Sequence, residues 1–245
     1  MSEIKKFTGL VLKKLDFGDS SKIVTFFSGE LGKVTGIIKA GRSSKSKIGA
    51  LVDVLNETEI VIYSKAGRDI QLISQAHLVN SFPNLKQNLE SIKYASSILE
   101  LLDYFIMEND HHERLYKGTI RILKLINENA GEALIYFIKY LIFFLEEVGF
   151  GLNFEECSIC KKELSAGEKG YNFELGFLCS DCKVDHLVSF NLTKELFDDL
   201  LCLSSKDKNK SYLINNLNKL LNMLERILMF NSPDFPGIQS LKVFS

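Results

Sequence analysis

Four of the five cysteines in this chain fall in two Cys-x-x-Cys pairs, Cys157 with Cys160 and Cys179 with Cys182, and eighteen residues separate the pairs. A pair at that spacing wraps one side of a metal ion, and two pairs joined by a short hairpin supply the four thiolates of a tetrahedral zinc site. Gly167, Gly170 and Gly176 bracket the apolar run 171–175, as expected of a small hairpin lying over such a site. Four thiolates close the tetrahedron and leave no position for a reacting water. One structural Zn2+ is therefore expected, held by Cys157, Cys160, Cys179 and Cys182. The competing use of paired cysteines is disulfides or a redox couple, and disulfides need an oxidising compartment. Lys5, Lys6, Lys13 and Lys14 interrupt any apolar leader, which points to a cytoplasmic setting and to the metal. His186 reads as a spare surface histidine and Cys202 as a small core residue.

The second stretch with a chemistry of its own is basic. Lys33, Lys39, Arg42, Lys45 and Lys47 lie between Leu31 and Val52 with no Asp or Glu among them, and glycine and serine fill the spaces. Such a loop can follow phosphates by charge and backbone N–H groups, which positions nucleic acid without reading its sequence. The same composition also suits an ordinary solvated loop. The wider charge distribution favours the first reading: residues 1–80 carry twelve Lys and Arg against eight Asp and Glu, although the whole chain has a net charge of −1. Phe7, Phe17, Phe26 and Phe27 are nearby rings on which bases could stack, most of them expected in the core.

Known catalytic patterns fail on inspection. His111, His112 and Glu113 contain an H-x-E, but a zinc deaminase needs Pro before its Cys-x-x-Cys, and Glu156 and Leu178 stand at those positions. Tyr116 stands where a helical zinc protease needs its second His. Gly29, Gly32 and Lys33 lack the spacing of a phosphate loop, with Phe27 and Val34 at two of its required positions, so no nucleotide site is expected. Neither a nucleophile elbow nor a dinucleotide fingerprint is present, and the chain reads as a non-enzyme.

The elements that must hold these residues follow from hydrophobic periodicity. At 245 residues, 46% hydrophobic and 25% charged, the chain has the composition of a globular protein of more than one domain. Short β-rich runs at 7–15, 22–27, 33–38, 59–63 and 70–78, separated by glycine or charge, predict a small barrel. Five strands in about eighty residues suit an OB-fold, and an SH3-like barrel has the same pattern. Pro83 ends the strand pattern, with Asn84 placed to cap a long amphipathic helix over 85–106. Further helices are predicted at 113–127, 132–148, 193–203 and 211–230, the one at 132–148 apolar almost all round. Its apolar run, 133–145, is shorter than the roughly 20 residues that span a bilayer, so no membrane segment is expected. The expected class is α+β and multidomain: an OB-type barrel at 1–80, a helical body at 81–152 and 188–245, and an inserted zinc ribbon at 153–187.

Several of these stretches together carry a family resemblance. Phe17-Gly-Asp-Ser-Ser-Lys22-Ile-Val-Thr-Phe-Phe27, Gly32-Lys33, Lys39-Ala-Gly-Arg42-Ser-Ser-Lys45-Ser46, the two cysteine pairs and the closing Gln239-Ser-Leu-Lys242-Val-Phe244 resemble the RecO family of bacterial recombination mediators. The likeness runs nearly end to end. It implies a cytoplasmic, nucleoid-associated protein of DNA repair and recombination that binds single- and double-stranded DNA and anneals complementary strands. It also implies help in loading recombinase onto DNA coated by single-strand-binding protein. RecR and the C-terminal tail of single-strand-binding protein are the implied partners. Arg42, Lys45 and Lys47 fall on or beside the family's basic segment, and Arg121 and Lys124 are candidate cations for the acidic tail. A zinc-ribbon adaptor of transcription or RNA that works through protein contacts is the alternative, and a sharply salt-dependent DNA affinity favours the mediator over it. A zinc hydrolase or deaminase is a third reading, which the absorption spectrum of the cobalt-substituted site separates from a tetrathiolate.

Overall fold

The computed structural model describes residues 3–43, 46–65, 67–164, 167–205 and 211–243. They fall into two compact units, Met1–Ala133 with Ile238–Ser245, and Leu134–Gly237. Of the residues singled out above, Lys45 and Phe244 lie outside the described residues.

The first unit begins with five strands: β1 (Glu3–Phe17), β2 (Ser21–Ser28), β3 (Gly32–Ile38), β4 (Glu57–Ser64) and β5 (Gln71–Asn80), with a short helix α1 (Lys47–Leu51) between β3 and β4. β1 is long because it serves two neighbours. Its first half pairs antiparallel with β4, from Glu3 opposite Ser64 to Leu10 opposite Glu57, and its second half with β2, from Leu10 opposite Phe27 to Phe17 opposite Ser21. A bulge between Val11 and Lys13 bends the strand where it changes partners. Parallel pairing of Gly36 and Ile37 with Gln71 and Leu72 then closes the barrel in the order β1-β2-β3-β5-β4. This is the OB-type closed sheet, and it settles the choice against the SH3-like alternative. Phe7, Val11, Val24, Phe26, Ile38, Ile60, Ile62, Ile73 and Ala76 fill its interior, with Val52 beside α1 completing the cluster. Gly36 is needed at the closure, since a Cβ there would sit 2.6 Å from Ile73 Cγ1.

The helices are α2 (Pro83–Gln87), α3 (Leu89–Phe105), α4 (Glu113–Glu128), α5 (Ala133–Glu147), α6 (Cys182–Asp185), α7 (Lys194–Ser204), α8 (Ile214–Asn231) and α9 (Gln239–Val243). The single long helix expected over 85–106 is broken at Asn88, whose backbone is extended and whose side chain accepts the Ser91 N–H at 2.9 Å. Asn88 is thus the cap, and Asn84 lies inside α2. Pro83 at the first helical position places the start of α2 two residues earlier than a cap at Asn84 allows. The Glu100 carboxylate accepts the N–H groups of Gln239 and Ser240 at 2.7 and 2.8 Å, which pins α9 on α3.

Barrel and helices of this unit are joined at Gly32, which bridges to Glu108. Gly32 has φ +65°, and a Cβ there would lie 2.4 Å from the Met107 carbonyl oxygen. Both the conformation and the space exclude a side chain. Gly32→Ala is therefore expected to lower stability by about 2–4 kcal/mol, read as a fall in the denaturation midpoint of the full chain.

In the second unit α5 is buried almost all round, with Phe137, Ile138, Tyr140, Leu141, Phe144 and Leu145 fully covered. α8 buries Leu217, Leu220, Met223, Leu224, Ile227 and Leu228 and stops before Pro233, whereas Leu213, expected on the same face, precedes the helix and is exposed. Cys202 is half-buried. A small antiparallel sheet of β6 (Lys169–Asn172), β7 (Gly176–Leu178) and β8 (Phe190–Leu192), in the order β7-β6-β8, stands beside the cysteines. The architecture is α+β: an OB-type barrel, a helical body and a four-cysteine cluster on a small sheet. Among the described residues no helix is long and apolar enough to cross a membrane.

Candidate metal centre and nucleic-acid interface

The cysteine pairs are brought together by the β6–β7 hairpin. The expected run 171–175 is not one strand, because Asn172 turns the chain: its Oδ1 accepts the N–H groups of Glu174 and Leu175 at 2.8 and 2.9 Å, and Gly176 follows at φ +98°. β7 returns beside β6 and delivers Cys179 at its end. Phe177, buried on this hairpin, meets the rings of Tyr171, Phe154 and Phe197 at centroid distances of 4.9, 5.5 and 5.4 Å. The first pair is shaped by its own backbone, with the Lys161 N–H donating to the Cys157 carbonyl at 3.0 Å and the Cys157 N–H to the Lys162 carbonyl at 2.8 Å. Lys161 takes the left-handed conformation, φ +60°, that this reversal needs.

All four sulfurs lie within 4.8 Å of one another, and Cys160 Sγ is 3.7 Å from Cys179 Sγ. A tetrahedron with bonds of about 2.3 Å to sulfur has edges of about 3.8 Å. The donor set therefore fits a tetrathiolate ion, and no oxygen or nitrogen ligand joins it among the described residues. Cys157 and Cys179 are buried, Cys182 is half-buried and Cys160 faces solvent. Burial opposes ionisation of Cys157, but the N–H groups of Cys179, Cys160 and Ile159 aimed at its sulfur prevail and bring the thiol down to about 6. The Cys182 thiol is pushed up to about 12 by desolvation and by the hydrogen bonds it shares with Cys160, Cys179 and Cys157. The surroundings thus favour the thiolate at Cys157 and oppose it at Cys182, and a bound cation would favour the thiolate form of its ligands.

On the barrel, residues 39–43 of the basic segment form a turn. The Arg42 N–H donates to the Ser20 carbonyl at 2.9 Å, and the Arg42 Nη1 to the Gly18 carbonyl at 3.2 Å, so the segment lies against the β1–β2 turn. Ser46 caps α1 by accepting the Gly49 N–H at 3.1 Å, and a Cβ on Gly49 would meet the Gly41 carbonyl at 2.2 Å. Lys39, Arg42 and Lys47 are exposed around this turn. Arg42 has one exposed carboxylate partner, Asp16 at 3.5 Å, a pair weak enough to yield to a phosphate. Lys33 is placed differently: its ammonium donates to the Asp103 carbonyl at 2.5 Å and lies 3.6 Å from that carboxylate, where Lys13 also binds. It fastens β3 to α3. Of the four candidate rings, Phe7, Phe26 and Phe27 are buried and only Phe17 is exposed.

Sequence reasoning missed the outward apolar row that accompanies Phe17. Register sets Leu15 opposite Ile23, Ile23 opposite Ile37, Ile37 opposite Leu72 and Leu72 opposite Tyr63, all at least partly exposed. The signal was available in part, since Ile23, Ile37, Leu72 and Tyr63 each adjoin a buried residue, but the row needs the strand pairing to be seen. Arg121 and Lys124, on α4, line an open concavity of about 360 Å³ with Ile120, Leu125, Lys117, Tyr116 and Glu57. Glu57 is buried, accepting from the Tyr116 hydroxyl at 2.7 Å and from Asn80 Nδ2. Desolvation and this carboxylate push the Tyr116 phenol well above its ordinary value, so it stays a donor.

Comparison with known proteins agrees with this construction. The N-terminal family model of recombination protein O matches residues 1–82 and the C-terminal one residues 86–232. The chain is 26% identical to the DNA repair protein RecO of Chloroherpeton thalassium over 99% of this chain and 98% of that one. It is 30% identical to the DNA repair protein RecO of Caldicellulosiruptor saccharolyticus over 91% and 89%, and 28% identical to that of Clostridium perfringens strain 13 over 83% and 81%. A barrel, helical body and four-cysteine cluster in one chain, matched nearly from end to end, place it in the RecO family of DNA repair and recombination proteins.

Proposed function

We propose that the chain is a recombination mediator that works by binding: it holds single- and double-stranded DNA, anneals complementary strands and helps load recombinase onto DNA coated by single-strand-binding protein. The observation that carries this reading is the exposed turn bearing Lys39, Arg42 and Lys47 beside an outward apolar row on a closed OB-type barrel. Phosphates would meet the cations and unstacked bases the apolar row, a combination that tolerates any sequence. Residues 1–80 would then be the DNA-binding domain, 81–152 and 188–245 the body that receives partners, RecR among them, and 153–187 a ribbon stabilised by one zinc ion. Cys157, Cys160, Cys179 and Cys182 would hold that ion, which supplies folding energy and no reaction. The setting is the bacterial cytoplasm, at the nucleoid.

The test is annealing of complementary oligonucleotides precoated with single-strand-binding protein, without ATP. Acceleration by the chain at stoichiometric amounts is expected, and none at any salt concentration would remove the reading in favour of the adaptor.

The concavity on α4 suits the tail of single-strand-binding protein, since an acidic, apolar segment needs an apolar floor and cations at its rim. Ile120 and Leu125 offer the floor, and Arg121 and Lys124 the rim. Replacing both cations by Glu is expected to weaken a tail peptide by about tenfold or more through lost pairing and new repulsion. Calorimetric titration checks it, and an unchanged affinity would move the peptide elsewhere.

A further inference from the structure

We infer that Lys169 is the built-in counter-ion of the cysteine centre, a positioning residue that strengthens the hold of four thiolates on a divalent cation. The inference rests on the zinc reading above and goes beyond the ligands themselves.

Lys169 is 1% exposed, a rare state for a lysine. It opens β6, whose register with β7 sets Gly170 opposite Leu178 and Tyr171 opposite Phe177. Cys179 follows β7 directly, so continuing that register one step past the paired residues brings Lys169 to the level of Cys179. Residues opposed across an antiparallel pair share a face of the sheet, and the Cys179 sulfur is close enough to Lys169 to act on its charge. The ammonium is held there: it donates to the Gly167 carbonyl at 2.8 Å and lies 5.3 Å from the centroid of the Phe197 ring. Desolvation pulls its pKa below the ordinary lysine value, with Lys183 and Lys194 adding to the pull, while Asp198 and Cys179 oppose it.

The charge of the centre gives this placement a purpose. A divalent ion with four thiolates carries a net −2, and Cys157 and Cys179 place that charge on the buried side of the ribbon. Net charge away from water is costly unless an opposite charge is near. Cys160, on the open side, has solvent for that task, whereas Cys179 has Lys169 across the hairpin.

The test compares full-length wild type, Lys169→Met and Lys169→Arg by competition for zinc with a chromophoric chelator. Lys169→Met should bind zinc about 10- to 100-fold more weakly, the range typical of lost outer-shell partners, and Lys169→Arg, which keeps the charge, should stay close to wild type. The cobalt spectrum should remain tetrathiolate in all three, since no ligand is touched. Wild type that takes up no zinc would overturn the metal reading itself; wild type that binds, with Lys169→Met binding equally well, would overturn only the role of Lys169. Thermal unfolding separates packing from charge: the hydrogen bond to Gly167 and the contact with Phe197 are lost in either form, so Lys169→Met should lose more stability in the zinc form than in the metal-free form, and equal losses in both would overturn the proposal. If Lys169→Met does not fold, Lys169→Gln carries the same comparison with the same expected loss.

Discussion

Cys160→Ser should empty the cysteine centre and unfold the ribbon around it. The four sulfurs sit within 4.8 Å of one another. Four thiolates that close repel one another, and a cation bound among them offsets that repulsion. Apparent binding energies of structural zinc sites run to about 10–16 kcal/mol at neutral pH, and most of that is folding energy where the site forms only in the folded chain. A hydroxyl in place of one thiolate removes a soft anionic ligand and leaves an open coordination position. Cys160 is the choice because it is the exposed ligand, so its replacement makes no cavity in the core. The expected result is zinc content falling from one per chain to well below one half, together with loss of the cobalt thiolate absorption. Protection of the β6 and β7 amides from hydrogen exchange should fall with it. Zinc retained at one per chain by Cys160→Ser would mean that the ion is not held by these four sulfurs. Wild type below one zinc per chain after purification without chelators would remove the metal altogether.

What the sequence disclosed divides along physical lines. Cysteine spacing is a local code, and the four ligands are legible because each pair is fixed by its own short loop. Barrel strands are legible from alternation, whose period shows over as few as five residues. Three kinds of feature escaped. Five-residue α1 was hidden in a basic run, because Ser46 caps it and Gly49 packs on Gly41 in ways that charge counting does not register. β8, three residues long, has no period to detect and exists only because β6 lies beside it. Glu57 reads as a solvated strand residue, and its burial depends on Tyr116, 59 positions away, and Asn80, 23 positions away. Lys33 shows the same limit from the other side: within its run it looks like a fifth phosphate contact, and Asp103 on α3 has claimed it.

Salt dependence of DNA binding should change most on the barrel turn. Each phosphate contact on a single strand contributes about −0.7 to the slope of log affinity against log salt. With Lys39, Arg42, Lys45 and Lys47 as four contacts the slope is about −3, and affinity falls about 50-fold between 50 and 200 mM salt. Replacing Lys39, Arg42 and Lys47 by Ala should flatten the slope by about 2, leaving a fall of only about threefold over the same range. The loss should be the same for all sequences, since no base edge is read. Fold damage is not the expected cause of such a loss, because all three side chains are exposed and, although the Arg42 Nη1 bond to Gly18 goes, the Arg42 N–H bond to Ser20 and the Ser46 cap remain. Phe17→Ala supplies the contrast: an exposed ring that stacks on a base is worth about 1–3 kcal/mol and releases no counter-ion, so affinity for single strands should drop while the slope holds. Wild-type and triple-variant slopes on one mixed-sequence oligonucleotide decide the matter. Equal slopes would place the phosphates on another surface and leave the cationic excess of the first eighty residues without a partner.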